Sequence, residues 1–459
     1  MGRALLARGG DGRLSRTGRG PASDARKRAL QVVRDVSRGR MLDRAAERRF
    51  ANLPARERAW ATEAAYGTIR LRGRLDALLR PYVADRKLDD VVRDVLRLGA
   101  YQLTEMGGVP DYAAVSATVD LAREAGRGRA SGLVNAVLKR LAADGSDAER
   151  APEPPAPDPL DALADRGSHP RWLLERWEDR HGPAATAALV EANNRRPELY
   201  LRLVGIPRDD AIRRLAEAGI RAGPVPLEAR SLRLEAGSDP VAALAAVPAV
   251  VQDPAASAVV RYADVPAGAL VADLCAAPGG KSLALVDLGA GRVVSFDRSA
   301  ERLRRLRDNA RRVAGVAGGS PLPLCLAVAD ARHPALLGAD VVLVDAPCTG
   351  TGTFRRHPDG RWRIGPDDLA SLVRLQKRIL RAAAKAVAPG GLLVYATCSL
   401  EPEENEDQVE RFLQEHPDFE VAPPTAPMPI PHAGGSALRI LPHEHGVDGA
   451  FAVRMRRAR

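Results

Sequence analysis

Residues 269–281 have the sequence Ala-Leu-Val-Ala-Asp-Leu-Cys-Ala-Ala-Pro-Gly-Gly-Lys, and this stretch decides the fold. Its apolar first half predicts a short buried strand that ends near Asp273. The Gly279-Gly280 pair predicts a tight turn into a helix, whose first N–H groups are suited to an anion. The spacing matches neither a P-loop nor the GxGxxG dinucleotide fingerprint, so neither of those sites is expected.

The chain around this stretch alternates between strand and helix patterns. Such alternation predicts an α/β domain with a doubly wound, mostly parallel sheet. Strands are predicted at 269–274, 293–297, 322–328, 341–344 and 392–396, with two more in the tail at 438–441 and 450–455. Helices are predicted at 282–288, 300–313, 366–387 and 403–414.

Acidic residues follow the first three predicted strands. Asp297 ends the second strand, 24 residues after Asp273 (297 − 273), where a carboxylate suits a ribose diol. Asp330 ends the third strand, where a polar group meets a base edge. These positions indicate a nucleoside cofactor. S-adenosyl-L-methionine fits better than a dinucleotide, with its carboxylate at the helix start, its ribose on Asp297 and its adenine near Asp330.

Two cysteines follow the later strands. Cys348 lies in Asp345-Ala346-Pro347-Cys348-Thr349-Gly350, and Cys398 lies in Thr397-Cys398-Ser399. Because chemistry collects at the carboxyl edge of an open α/β sheet, we expect both thiols in one pocket. A thiol can open an aromatic ring to attack, as methylation at carbon 5 of cytosine requires. Of the other two cysteines, Cys275 is expected to shape the cofactor turn and Cys325 to be a buried strand residue.

The rest of the chain predicts further domains. The predicted divisions are a basic disordered tail at 1–22, an all-helical domain at 23–148, a Pro-rich linker at 149–168, a small α+β subdomain at 169–250 and the α/β domain at 251–459. The linker is predicted because five prolines occur within 151–159.

The net charge is +11 over 459 residues, which indicates a polyanionic partner, with nucleic acid first and an acidic membrane surface second. Four cysteines without a CxxC pair indicate a reducing compartment, and we expect a cytoplasmic protein. No uncharged apolar stretch has membrane-spanning length, so no membrane association is expected.

Several motifs resemble one family, the ribosomal RNA cytosine-5 methyltransferases of the RsmB/Sun family. The resemblance covers Ser23 to Arg456, and its helical front is similar to the NusB-like RNA-binding domain of that family. The motifs that carry it are 273–281, 345–350, 397–399, 354–359 with Trp362, Leu375-Gln376, 401–405, Asp448-Gly449, 63–70 and 134–138. Thr349 departs from the family pattern, in which serine is common.

The resemblance implies a Rossmann-like methyltransferase domain behind the NusB-like and α+β parts. It implies S-adenosyl-L-methionine as methyl donor and a cytosine of small-subunit (16S) ribosomal RNA as target. Cys398 would be the nucleophile, and Cys348 would be the second cysteine, needed for product release. The cofactor site would be lined by Cys275, Ala276, Ala277, Pro278, Gly279, Gly280, Lys281, Asp297, Asp330 and Asp345.

The chemistry of several further side chains predicts additional roles. Asp345 is expected to stabilise the ring during addition, as a third catalytic residue. Four arginines and a tryptophan after Cys348 predict an RNA contact, with the arginines on phosphates and the aromatic ring on a base: Arg355, Arg356, Arg361, Arg363 and Trp362. His443 and His445 flank Glu444 without further ligands nearby, so no metal is expected.

Three alternatives remain at this point. A DNA cytosine-5 methyltransferase would take its nucleophile from the Pro347-Cys348 pair. A non-catalytic RNA-binding assembly factor would use the basic helical front alone. A methyltransferase for transfer RNA or large-subunit ribosomal RNA would use the same catalytic residues. A monomer is expected in each case.

Overall fold

The structure is a computed structural model that describes residues 21–83, 87–108, 110–144, 158–426, 428 and 436–459. The predicted basic tail falls almost entirely on residues 1–20, outside the described part, and so do residues 149–157 of the predicted linker. The chain divides into two units, Met1–Pro157 and Asp158–Arg459. The division falls inside the predicted linker.

The described part of the first unit is helical, as predicted. Apolar residues at helical spacing, such as Val95 and Leu98, are completely buried. A Cβ on Gly67 would lie 1.9 Å from the Tyr101 ring, so glycine lets two helices approach closely there. The helices are α1 (Pro21–Ser37), α2 (Leu42–Phe50), α3 (Ala55–Arg70), α4 (Arg72–Val83), α5 (Asp90–Thr104), α6 (Asp111–Glu124) and α7 (Ser131–Asp144).

The second unit begins with two helices, α8 (Pro159–Gly167) and α9 (Arg171–Asn194). The prediction of a linker up to residue 168 differs from the structure here. Asp158 caps α8 by accepting a hydrogen bond from the Leu160 amide, and the Leu160 side chain is buried. Pro159 takes the first helical position, where a missing N–H costs nothing. Helix α9 is kinked at Gly182, whose φ is +78°.

The elements of the α+β subdomain are β1 (Tyr200–Leu203), α10 (Arg208–Glu217), β2 (Ala222–Pro224), β3 (Ser231–Leu234), α11 (Pro240–Ala246) and β4 (Ala249–Val251). They form a four-stranded antiparallel sheet in the order β2-β3-β1-β4. The sequence pattern predicts a strand at 199–204, a helix at 209–218 and a strand at 232–234, which correspond to β1, α10 and β3. It does not predict the short elements β2, α11 and β4.

The α/β domain follows with the expected alternation of strands and helices. Its elements are α12 (Pro254–Ala263), β5 (Leu270–Asp273), α13 (Gly280–Asp287), β6 (Arg292–Asp297), α14 (Ala300–Val316), β7 (Leu324–Val328), β8 (Ala339–Asp345), α15 (Gly360–Arg363), α16 (Pro366–Ala386), β9 (Val387–Thr397), α17 (Glu406–Glu415), β10 (Phe419–Val421), β11 (Leu438–Ile440), α18 (Pro442–His445) and β12 (Ala450–Arg457). All seven predicted strands are present, and β10 is an additional one.

The large sheet has the strand order β10-β12-β9-β8-β5-β6-β7, with β11 paired to β12. Strands β9, β8, β5, β6 and β7 are parallel, and β12 joins β9 in the antiparallel direction. The chain runs from β5 to β6 on one side, whereas β8 lies on the other side of β5. Such a reversal of strand order opens a crevice at the carboxyl ends of β5 and β8, where ligands bind in open α/β sheets.

Buried ion pairs join the α+β subdomain to helix α13 of the α/β domain. Asp287, at the end of α13, accepts hydrogen bonds from Arg202 Nη1 at 2.8 Å and from the Gly205 amide at 2.6 Å, and it also pairs with Arg230. Burial raises the pKa of Asp287, but these partners outweigh it and lower the pKa overall. The ionised carboxylate therefore stabilises the junction.

No helix in the described part of the chain is long and apolar enough to cross a membrane.

Replacing Asp287 with alanine should destabilise the second unit by about 3–5 kcal/mol at pH 7, because it leaves a buried arginine charge unpaired. Urea unfolding followed by tryptophan fluorescence measures this, since Trp172, Trp177 and Trp362 all lie in that unit. A lowered native pKa contributes stability above the unfolded value of about 4 and loses it on further acidification. The difference between wild type and variant should therefore shrink below about pH 4.

Asp209→Ala is the matched control, because the Asp209 side chain is 88% exposed. Its free energy of unfolding should change by no more than about 0.5 kcal/mol. An equally small shift for Asp287→Ala would contradict the structural role of the buried junction.

Candidate active site

Two thiols meet at the carboxyl edge of the large sheet. Parallel pairing of β8 with β9 places Asp345 opposite Ala396, and the chain reaches Cys348 three residues and Cys398 two residues beyond those positions. Their Sγ atoms lie 3.4 Å apart, and both cysteines are free and partly buried. The expectation that the two thiols share one pocket therefore agrees with the geometry.

The two thiols are electrostatically unequal. The hydrogen bond from Cys348 lowers the pKa of Cys398, against the effect of burial. The same hydrogen bond, burial and the nearby negative charge of Glu404 raise the pKa of Cys348 well above its ordinary value. Cys398 is thus the thiol that ionises more readily, and Cys348 is the hydrogen-bond donor when Cys398 is a thiolate.

A lysine–aspartate pair lies beside the thiols. Lys281 Nζ donates to Asp345 Oδ2 at 2.6 Å. Burial lowers the pKa of Lys281, but Asp345 reverses this and raises it overall, so the ammonium stays charged. The charges of Lys281 and His357 help to lower the pKa of Cys398, whereas the charge of Asp345 raises it. The sequence alone does not identify these neighbours of Cys398.

Glu404 supports the loop that carries Cys348. Its side chain is fully buried and accepts hydrogen bonds from the Thr349 amide at 3.0 Å, the Thr349 hydroxyl at 2.5 Å and Gln376 Nε2 at 2.9 Å. Gln376 also donates to the Pro347 carbonyl at 3.0 Å. Burial raises the pKa of Glu404 although these hydrogen bonds oppose it. The sequence motif contained Glu404 but did not indicate this role.

The backbone around Cys398 is fixed from both sides. Asn405 accepts from the Thr397 hydroxyl at 2.5 Å and donates to the Ser399 carbonyl at 2.9 Å. The Gly352 amide donates to the Cys398 carbonyl at 2.9 Å. A Cβ on Gly352 would lie 2.8 Å from that carbonyl oxygen, so only glycine permits this approach. The nucleophile candidate therefore sits on a rigid turn.

Helix α9 holds the segment that follows Cys398. Trp177 Nε1 and Arg176 Nε donate to the buried Glu401 at 3.1 and 2.9 Å. Arg180 Nη1 donates to the Leu400 carbonyl at 2.9 Å. These contacts join residues more than 200 positions apart, and no local pattern in the sequence predicts them.

A cavity of about 310 Å³ lies beside the Lys281–Asp345 pair. It opens in the crevice between β5 and β8, and most of the predicted cofactor loop borders it. The lining residues are Leu244, Val250, Val251, Gln252, Ala256, Asp273, Cys275, Ala276, Ala277, Pro278, Gly280, Lys281, Asn309 and Asp345. Gly279 is not among them: its φ of +106° makes the turn, and its missing Cβ leaves room for Leu306.

Asp273 is the buried acid of this cavity. Ser282 donates to its Oδ2 at 2.7 Å, whereas Oδ1 has no hydrogen-bond partner among the described residues. Burial raises the pKa of Asp273 to about 7. A buried carboxylate oxygen without a partner is costly, and a cationic ligand group would satisfy it. Burial also raises the pKa of Cys275, which agrees with a shaping role for that thiol.

The two acids at the neighbouring strand ends are held by arginines. Asp297 is buried; its Oδ1 accepts from the Ser299 amide at 2.9 Å, and Oδ2 pairs with Arg302 at 3.2 Å. Asp330 accepts from the Arg332 amide and forms two bonds to the Arg332 guanidinium, at 2.9 and 2.6 Å. Neither acid lines the cavity, so their ribose and adenine roles stay predictions.

Three of the predicted RNA-binding arginines point into the protein. Arg356 donates to Asp448 at 2.9 Å and to Asp253 at 2.6 Å, and it also reaches the Glu198 carbonyl. Arg355 is 7% exposed and donates to the Gly446 carbonyl at 2.9 Å. The prediction that these two hold phosphates is corrected, because buried carboxylates and a carbonyl bind their guanidinium groups.

Arg361 requires the same correction. It lies in α15, is fully buried and donates to oxygens of four residues: Ser168, Asn193, Asn194 and Phe354. Arg363 is exposed and pairs with Asp359 at 2.9 Å, and Trp362 is half-buried. An RNA contact of Arg363 and Trp362 stays a prediction. Cys325 also differs from expectation, since it is exposed on the edge strand β7.

Comparison with known proteins shows the family of this chain. The profile of the 16S rRNA methyltransferase RsmB/F family matches residues 264–456, that of the NusB family matches 23–143, and that of the RsmF/B-like ferredoxin-like domain matches 169–240. A relative from Thermus thermophilus, ribosomal RNA small subunit methyltransferase B, is 36% identical over 441 residues, covering 95% of this chain and 98% of its own. The chain belongs to the 16S rRNA methyltransferase RsmB/F family.

Two further likenesses extend over nearly the whole chain. The probable ribosomal RNA small subunit methyltransferase B of Synechocystis is 34% identical over 456 residues, covering 95% of this chain and 99% of its own. The crystal structure of PH0851 is 25% identical with a TM-score of 0.76, covering 94% of this chain and 98% of that one. The predicted order of a NusB-like domain, an α+β subdomain and a Rossmann-like methyltransferase domain is thereby confirmed, and the RsmB/F protein is a methyltransferase.

Alkylation should distinguish the two thiols of this RsmB/F protein. Iodoacetamide should label Cys398 at a lower pH than an ordinary thiol, because the hydrogen bond from Cys348 and the nearby positive charges lower its pKa. Cys348→Ala removes that donor, which should raise the pKa of Cys398 and slow its labelling at pH 7 by about 10-fold. Peptide mass spectrometry of timed samples measures each rate.

Cys348→Ser is the matched control, since its hydroxyl still donates, and it should keep most of the wild-type rate at Cys398. The exposed Cys325 serves as an internal reference in every sample. Equal Cys398 rates in wild type and Cys348→Ala would show that the thiol hydrogen bond does not activate the nucleophile candidate.

Proposed function

We propose that this protein methylates carbon 5 of a cytosine in small-subunit (16S) ribosomal RNA, with S-adenosyl-L-methionine as donor and a covalent Cys398–cytosine intermediate. The observation that carries the proposal is the 3.4 Å pair of unequal thiols beside the Lys281–Asp345 pair and the cavity. This arrangement offers a thiolate, a second thiol and a charged pair at one sheet edge.

The first step uses the thiolate of Cys398. Its sulfur bonds to carbon 6 of the cytosine, and the ring electrons make carbon 5 nucleophilic. A base that is stacked within an RNA helix cannot reach the Cys398 sulfur at the edge of the sheet. The target base must therefore leave its stack to enter the site. The lowered pKa of Cys398 increases the fraction of its reactive thiolate form relative to an ordinary thiol.

The Lys281–Asp345 pair serves the ring itself. Addition of the thiolate places negative charge on the ring, mainly at ring nitrogen 3, and this charge is consumed when carbon 5 bonds the methyl group. In this proposal Asp345 accepts a hydrogen bond from the exocyclic amine while the charged Lys281 offsets the developing negative charge. The pair is held at 2.6 Å before substrate arrives, so little reorganisation is needed.

Cys348 completes the reaction. After carbon 5 gains the methyl group, its proton must leave together with the Cys398 sulfur. The pKa of Cys348 is raised first of all by its hydrogen bond with Cys398. Once the Cys398 sulfur is bonded to carbon 6 it carries no negative charge, so the pKa of Cys348 falls, its proton passes to solvent and its thiolate becomes available as base. The proton on carbon 5 passes to Cys348, and Cys398 leaves as a thiolate.

The cavity residues fit S-adenosyl-L-methionine. This cofactor supplies an electrophilic methyl group on a sulfonium. The partnerless Oδ1 of Asp273 suits the ammonium of its methionine part, and the start of α13 suits the carboxylate. We assign the ribose to Asp297 and the adenine to the region of Asp330, which requires Arg302 and Arg332 to release those carboxylates.

Small-subunit ribosomal RNA is the favoured substrate for two reasons. Relatives that match over nearly their full length are named for that RNA, and residues 23–143 match the NusB family. The rivals are another RNA with the same chemistry, DNA with Cys348 as nucleophile, and a non-catalytic assembly factor. We further propose a monomeric, cytoplasmic protein.

Trapping on RNA that contains 5-fluorocytosine tests the roles of the two cysteines. Fluorine at carbon 5 cannot leave as a proton does, so the adduct persists. Wild type and Cys348→Ala should form a denaturation-resistant adduct with a small-subunit RNA transcript, and Cys398→Ala should form none. On unmodified RNA, Cys348→Ala should still accumulate adduct, because release is slowed. Gel electrophoresis of labelled RNA detects each species.

Cys325→Ala should behave as wild type, and transfer-RNA, large-subunit and DNA substrates should trap less protein. An adduct that survives in Cys398→Ala and is lost in Cys348→Ala would reverse the assigned roles and favour the DNA-enzyme arrangement. RNA binding without any adduct or methyl incorporation would favour the assembly factor.

Asp345→Asn should separate thiol ionisation from methyl transfer. The charge of Asp345 raises the pKa of Cys398, so its removal should keep or increase the rate of Cys398 alkylation at pH 7. Methyl transfer should nevertheless fall by about 100-fold or more, because an electrostatic contact to the reacting ring is lost. Iodoacetamide labelling and incorporation of labelled methyl groups measure the two effects on the same samples.

Asp340→Asn is the control, because Asp340 lies near the start of β8 and its Oδ2 accepts from the Leu270 amide. It should leave both rates near those of wild type. If Asp345→Asn slowed alkylation and methyl transfer equally, Asp345 would act through Cys398 and not on the ring.

A further inference from the structure

Gln252 stands at the border between the α+β subdomain and the methyltransferase domain. It follows β4 directly and lines the cavity, together with Leu244, Val250 and Val251 of the subdomain. One wall of the cavity therefore comes from the subdomain, outside the motif stretch 273–281. That wall is apolar apart from Gln252, whose amide is the polar group the subdomain contributes to the cavity.

The Gln252 amide lies against the first residue of α13. A Cβ on Gly280 would be 2.7 Å from Gln252 Nε2, so the absence of a side chain at Gly280 makes room for the amide. Ser257 Oγ donates to Gln252 Oε1 at 3.2 Å, which occupies the acceptor end and directs the donor end away from Ser257. In the part of the chain that the structure describes, Nε2 donates no hydrogen bond.

Acidic groups and hydrogen-bond donors both line the cavity. The partnerless Oδ1 of Asp273 suits an ammonium. The start of α13, with its free N–H groups and partial positive charge, suits an anion. The Gln252 donor lies beside Gly280, the first residue of that helix. An amino-acid group with both charges would fit in one orientation.

We propose that Gln252 is a cofactor-positioning residue that donates from Nε2 to the carboxylate of the methionine part of S-adenosyl-L-methionine. The inference rests on the proposed function, because it concerns the same cavity. The α+β subdomain thus contributes directly to cofactor recognition. Its Gln252 donor selects ligands that carry the amino-acid end over nucleosides that lack it.

Calorimetric binding of two ligands tests this. S-adenosylhomocysteine carries the amino-acid end, and 5′-methylthioadenosine lacks it. Gln252→Ala should weaken S-adenosylhomocysteine by about 10- to 100-fold, as expected for the loss of a hydrogen bond to a charged group, and leave 5′-methylthioadenosine unchanged. Gln252→Glu should weaken S-adenosylhomocysteine further, because two carboxylates would then face each other, and again spare the shorter ligand.

Gln414→Ala, on exposed α17, is the matched control and should bind both ligands as wild type does. Thermal unfolding followed by circular dichroism checks that each variant folds. Equal weakening of both ligands in Gln252→Ala would overturn the inference and leave Gln252 as packing against Gly280. No weakening of either would overturn it as well. If the wild type fails to bind S-adenosylhomocysteine, the proposed function is overturned together with this inference. If the wild type binds it and only the expected effect of Gln252→Ala is missing, the inference alone is overturned.

Discussion

Parallel pairing of β8 with β9 is the constraint on which the site depends. The register sets Asp345 opposite Ala396, so loops that leave the two strands begin side by side. A shift of one residue would turn the buried side chains of β9 to the other face of the sheet, and the apolar cluster around Val342, Leu393 and Tyr395 resists it. The core thereby determines that two sulfurs 50 positions apart in sequence come within 3.4 Å.

Proximity alone would not make one sulfur a nucleophile, because burial disfavours a thiolate. The structure offsets that cost with a donor thiol and with the charges of Lys281 and His357. Lys281 is itself kept charged by Asp345, so the cofactor loop and the two cysteine loops form one electrostatic unit. Glu404 keeps the Cys348 loop in place with a carboxylate that no solvent reaches. Pre-arranged charge of this kind is what catalysis at a desolvated site requires.

The sequence pattern predicted what depends on local signals. Apolar runs locate the parallel strands, so the sequence alone places Cys348, Cys398 and Asp345 at one edge of the sheet. It could not predict which arginines are accessible. Arg356 donates hydrogen bonds to Asp253 and Asp448, which lie 103 and 92 positions away in the sequence. Only the folded chain brings these residues together. Helix α8 is not predicted from the sequence, because the prolines before it indicate an extended linker. The Asp158-Pro159 pair is nevertheless typical of the start of a helix.

The α+β subdomain is more than a spacer before the methyltransferase domain. Helix α9, next to it in sequence, holds the segment after Cys398 through Glu401, while Asp287 links β1 to the end of α13. Helix α13 starts at the cofactor turn, so the junction at its far end also limits how that turn can move. Nucleophile and cofactor loop are therefore both braced by residues 171–251, which explains physically why these parts belong to one unit from Asp158 to Arg459.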